Sequence, residues 1–115
     1  MPFVPGLTVR ILTHETARAG RRTVVDATLA IVRREGLRGV TITRATEGYS
    51  EAHGVRSASW VDLADDLPVS IELSDEAERI ERVLPELTTL VTEGALTVAS
   101  VRLWQADEQP ASPDR

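Results

Sequence analysis

The chain has 115 residues, 42% apolar and 27% charged, a size and balance that fit one globular domain with a modest core. Its formal net charge of −5 argues against a nucleic-acid binder, and the absence of Cys excludes a disulfide scaffold, a thiolate metal site and a thiol nucleophile. All 13 basic residues are Arg, which removes Lys-based P-loop and Schiff-base chemistry and leaves any bound anion to Arg, backbone N–H groups or a helix N-terminus. No apolar run reaches the length of a membrane span, and the opening MPFVPGLTVR lacks the pattern of a secretory leader, so a cytoplasmic location is expected.

Leu7 to Thr13 alternates, with Leu7, Val9 and Ile11 on one face, and reads as a half-buried strand. HETARAG (14–20) follows as a polar connection. From Arg21 to Glu35 the period becomes helical, with Val25, Leu29 and Val32 on one stripe, Val24, Ala27, Thr28 and Ile31 beside it, and Gly36 as the stop. Arg21 and Arg22 would then oppose the helix dipole, a cost on the order of a few tenths of a kcal/mol. A turn at Gly39 leads into a second strand, Val40 to Ala45.

Beyond it, Gly48, Tyr49, Ser50, His53 and Gly54 form a polar loop that a packed strand would not select, and Ser57 to Leu63 holds Trp60. A third strand is expected to bury Val69, Ile71 and Leu73, with Pro68 at its first residue, where a missing N–H does least harm. Asp75 with Glu78 reads as a capping box for a second helix, striped by Ala77, Ile80, Leu84, Leu87 and Val91 and kinked at Pro85, which lies inside it. Thr92-Glu93-Gly94 closes that helix. The last strand, Leu96 to Trp104, slips in apolar parity between Val98 and Val101, as a bulge near Ala99 and Ser100 would produce. Residues 1–105 are expected to form the single domain, and the polar tail 106–115 to be disordered.

The order strand, helix, strand, strand, helix, strand predicts an α+β, ferredoxin-like βαββαβ fold, a four-stranded antiparallel sheet with two helices on one face. The other face should show Thr8, Arg10, Leu12, Thr41, Thr43, Ser70, Glu72 and Thr97. With Leu12, Trp60 and Trp104 lacking burial inside one chain, a homo-oligomer that covers this face is expected.

This arrangement resembles the PII-like signalling proteins, and within them the group called domain of unknown function 190. The supporting residues are Leu7-Thr8-Val9-Arg10-Ile11, Glu35-Gly36-Leu37-Arg38-Gly39-Val40-Thr41, Glu47-Gly48-Tyr49, Asp65-Asp66-Leu67-Pro68-Val69, Leu84-Pro85-Glu86-Leu87 and Glu93-Gly94. The resemblance implies a PII-like homotrimer with clefts between neighbouring copies, each holding an adenine nucleotide or similar effector. By matching motif, the base side falls on Gly39, Val40 and Thr41, the loop entry on Gly48 and Tyr49, and the short glycine loop on Glu93 and Gly94. PII proteins carry Gly-Asp-Gly-Lys in that last loop, where this chain has Glu93-Gly94-Ala95-Leu96. Without the phosphate-reading lysine, a less charged nucleotide, a cyclic nucleotide or another small anion fits better than ATP, with Arg10, Arg44, Arg56 or Arg102 to hold it.

Other chemistry is weaker. His14 and His53, with Glu15 or Glu51 nearby, lack ligand-type spacing for a metal and read as solvated imidazoles. Ser50 has no elbow sequence and no third orienting group. Glu47 and Glu51 read as carboxylates repelling into water, and Asp62, Asp65 and Asp66 as turn chemistry. The resulting expectation is a non-enzymatic sensor, with no cofactor, whose effector orders the loop 48–57 and changes how it meets a partner such as a membrane transporter or channel. The alternative is a ligand-free scaffold or protein-interaction module.

Overall fold

A computed structural model of the protein describes residues 2–50, 54–57 and 66–105. His53, Glu51, Trp60, Asp62, Asp65 and the tail 106–115 lie outside the described residues, and for residues 50 and 54–57 only the backbone is described.

The elements are β1 (Phe3–His14), β2 (Arg18–Ala19), β3 (Arg22–Thr23), α1 (Val24–Glu35), β4 (Thr41–Arg44), β5 (Glu47–Ser50), β6 (Gly54–Ser57), β7 (Pro68–Glu76), α2 (Ala77–Leu90) and β8 (Ala95–Trp104). The main sheet has the order β4-β7-β1-β8, every pair antiparallel. This is the expected ferredoxin-like arrangement.

Strand alternation built the core as the sequence predicts. Val9, Ile11, Val69, Ile71 and Leu73 are buried on one face, against Val24, Ile31 and Val32 of α1 and Ile80, Val83 and Leu87 of α2. Branched aliphatics suit both positions, since they pack well on a pleated surface and fill a helix stripe. On the opposite face the register aligns Thr8, Arg10 and Leu12 of β1 with Ser74, Glu72 and Ser70 of β7, and Thr41 and Thr43 with Glu72 and Ser70. Thr97 pairs with Arg10 on the same side. No described helix covers this face, and Leu12 on it is 45% exposed.

Several local expectations are corrected. α1 starts at Val24, capped by Thr23, whose hydroxyl accepts from the Asp26 N–H. Arg21 and Arg22 therefore precede the helix, at a small β2–β3 hairpin built from the segment expected to be a plain connection. Gly36 does end α1, in the left-handed conformation at φ 66°. The buried stripe of α1 is Val24, Ala27, Thr28, Ile31 and Val32 rather than one centred on Leu29.

Asp75 does not cap α2. The strand runs on to Glu76, which occupies the cap position without a side-chain bond, and the Asp75 carboxylate is buried elsewhere. α2 passes Pro85 on its exposed side as one helix, where the Glu81 carbonyl left without its usual partner can meet water. β8 pairs with β1 in one unbroken register from Leu12↔Ala95 to Phe3↔Trp104, so there is no bulge at Ala99 and Ser100. The parity slip has another cause. Leu96 and Val98 stand opposite the buried Ile11 and Val9, whereas Val101 and Leu103 stand opposite Gly6 and Val4 on the other face. Finally, the stretch read as a polar loop contains a two-stranded ribbon, β5 paired with β6.

Candidate functional site

The turn between α1 and β4 is held by a buried anion. The Asp75 carboxylate, fully buried, accepts the Arg38 N–H at 2.8 Å and the Glu76 N–H at 2.7 Å, with Arg38 and Arg79 guanidinium groups at 3.6 and 3.5 Å. Arg79 also donates to the Gly36 carbonyl. A buried carboxylate is tolerated only when its lone pairs are met this fully.

The tether has a geometric result. The β4–β7 ladder stops at Thr41↔Glu72, while the turn is fastened farther along β7, at Asp75. Between the two, the edge of β7 at Leu73 and Ser74 has no ladder partner from β4. The gap is an open cleft of about 390 Å³ lined by Arg38, Gly39, Val40, Thr41, Glu72, Leu73 and Ser74. Thr41, Glu72 and Ser74 belong to the uncovered sheet face, so the cleft opens at its rim. Gly39 leaves space here, as a Cβ on it would meet nothing within 4 Å.

Of the residues predicted from sequence, the cleft brings together Gly39, Val40 and Thr41. Arg10 reaches it indirectly, through a 2.8 Å ion pair with Glu72. The rest lie apart. Gly48 and Tyr49 are on β5, Gly48 so close to Pro68 that a Cβ would stand 2.6 Å from its Cγ. Arg44 pairs with Glu15 at 2.6 Å. Arg102 lies over the Phe3 ring, 4.5 Å from its centre, and Phe3 meets Trp104 edge to face at 5.5 Å. Arg56 falls in β6. Arg38, Glu72, Leu73 and Ser74 were missed as site residues, although Arg38 sits inside the Gly36–Gly39 turn that marked the region.

Glu93 and Gly94 lie apart from the cleft, just before β8 on the opposite side of β1 from β7, at the end of the sheet where β1 finishes. Gly94, at φ 108°, lies against the Leu12 backbone, and the Glu93 carbonyl accepts from the Thr13 hydroxyl at 3.1 Å. His14 is here too, and it is not the solvated imidazole expected. It lies at the end of β1, with Nδ1 2.7 Å from Asp66 Oδ1 and Nε2 3.2 Å from Glu93 Oε1. Thr16 donates to the same Asp66 oxygen from its hydroxyl at 2.8 Å and from its N–H at 3.2 Å. Burial pushes the Asp66 carboxyl up, but the bonds from His14 and Thr16 outweigh it and hold the group below its ordinary value. No group of three or more acidic, His or Cys side chains with metal-binding placement occurs among the described residues.

This sheet order and helix placement are shared with PII-like proteins. CPII, a nitrogen regulatory PII-like protein from Thiomonas intermedia K12 solved with ADP, AMP and bicarbonate, superposes with a TM-score of 0.66 at 16% identity, over 90% of this chain and 92% of that one. A protein of Thermus thermophilus described as PII-like and signalling gives 0.58 at 22% identity, with the same shares covered. The DUF190 family model, Uncharacterized ACR, matches residues 6–103, and the chain belongs to that family. It is 33% identical over 79 residues to a UPF0166 protein of Aquifex aeolicus, covering 69% of this chain and 75% of the relative. To a UPF0166 protein of Methanocaldococcus jannaschii it is 37% identical over 73 residues, covering 61% and 64%.

Proposed function

We propose that this protein is a PII-like regulator, a homotrimer that binds a small adenine or cyclic nucleotide in clefts between its copies and presents the ribbon from Glu47 to Ser57 to a partner protein. The partner class that fits this reading is a membrane transporter or channel. The single observation that carries it is the coincidence of the Gly39–Thr41 turn with an open cleft at the rim of an uncovered sheet face. A second copy seated on that face would close the cleft and cover Leu12. The structures of CPII with ADP and AMP support the choice of ligand class.

The reading is regulatory rather than catalytic because the described side chains around the cleft supply hydroxyls and ion-paired charges, with no nucleophile set against a base. Function lies in coupling: a ligand that contacts one arrangement of the ribbon better than another shifts its population. Titration calorimetry of the full chain against AMP, ADP, ATP and cyclic AMP tests the proposal. The expected outcome is saturable binding of at least one, with one site per chain. Silence across the panel from an intact oligomer would remove the nucleotide.

A further inference from the structure

The resemblance puts a nucleotide's base at the Gly39 turn, and in PII proteins the phosphate-reading lysine stands in the glycine loop. The charges of this chain are arranged the other way. The glycine loop end carries Glu93 and Asp66 around His14, and its Arg44 is engaged by Glu15 at 2.6 Å. The cleft end carries Arg38.

Arg38 both anchors the turn and lines the cleft. Its backbone N–H is fixed to Asp75, yet its guanidinium makes no hydrogen bond among the described residues. Its two ion contacts, to Asp75 Oδ1 and Glu76 Oε2, are both 3.6 Å, too long for hydrogen bonds, and the side chain is 39% exposed. By contrast Arg10 is bonded to Glu72 at 2.8 Å, and Arg34 to Glu86. Arg38 therefore has a forked set of donors still available at the lip of a cleft, and that fork matches the oxygens of a phosphate. Turning toward a ligand would not unfasten the turn, because Asp75 keeps both backbone N–H groups and Arg79.

We propose that Arg38 binds the anionic group of the ligand, and that the ligand is accordingly a nucleoside monophosphate. This rests on the nucleotide reading above. Asp75 and Glu76 lie beside the Arg38 guanidinium and Glu72 lines the same cleft, so a single phosphate is matched there while each further charge on a triphosphate meets carboxylates.

The test is calorimetry with AMP and adenosine on the full chain, for wild type, Arg38→Ala and Arg79→Ala. Charge-assisted bonds of this kind give AMP an advantage over adenosine of about tenfold or more in the wild type. Arg38→Ala should collapse that ratio to near one by weakening AMP alone. Arg79→Ala, which disturbs the same buried carboxylate from outside the cleft, should leave the ratio intact and so separates ligand contact from support of the fold. If Arg38→Ala proves unfolded, Arg38→Gln gives the same comparison with the side-chain volume kept. An AMP preference that survives both Arg38 substitutions overturns this inference alone. A wild type that binds neither ligand overturns it together with the nucleotide reading.

Discussion

Two residues show how little freedom the sequence has at single positions. Gly94 combines a φ of 108° with a backbone so close that a Cβ would strike the Leu12 carbonyl. Gly94→Ala should therefore cost about 1–3 kcal/mol, read as a lowered urea midpoint at unchanged slope. Asp75 is the second. Its removal would orphan the Arg38 and Glu76 N–H groups and leave two guanidinium groups beside an empty site. Asp75→Ala should destabilise by about 3–5 kcal/mol, in the range found for breaking a buried ion pair, and should weaken nucleotide binding by releasing the turn that forms the cleft. The Asp-x-x-Glu spacing concealed this role, because it matches a capping box on spacing alone; strand pairing carried β7 one residue past Asp75 and turned that carboxylate toward a partner 37 residues back along the chain.

At the scale of elements, the two helices share one face of the sheet and are joined outside by Arg34 and Glu86, a solvent-exposed pair in which each group's hydrogen bond to the other raises the arginine and lowers the glutamate. Such surface pairs add little, and the shared apolar core governs the packing. The junction of β1, the residues before β7 and the turn into β8 is more sensitive to pH. Asp66 is depressed in the folded state, so it stabilises that state above its unfolded value and loses the contribution as pH falls through the folded one. Thermal melts should show stability declining as pH drops below about 4. Asp66→Asn should flatten that part of the decline. The hairpins β2–β3 and β5–β6 were not legible beforehand because neither has an alternating apolar face: Arg18 stands opposite Thr23 and Ala19 opposite Arg22.

For the whole molecule, the uncovered sheet face and the extension of β1 and β8 decide how copies can meet. β7 covers β1 only from Gly6 to His14, so Phe3, Val4 and Pro5 pair with Arg102, Leu103 and Trp104 as a separate two-stranded arm. Exposed Phe3, Leu12 and Trp104 mark the arm and the adjoining face as apolar surface suited to a second copy. Light scattering is expected to give the mass of three chains for the wild type. Leu12→Glu, which would bury a charge in the proposed contact, should give the mass of one while retaining a cooperative melt.

The sequence by itself determined which residues alternate, where the first helix ends and which face of the sheet stays polar, because side-chain period and glycine conformation are local properties that survive any tertiary context. It also carried the family, through short motifs in a set order. Only the tertiary structure decided the partners of Asp75, His14 and Arg38, the regular pairing of β8 and the gap beside β7. Each depends on the register between segments far apart in the chain, and register is settled by burying one face of four strands together, which no single segment encodes.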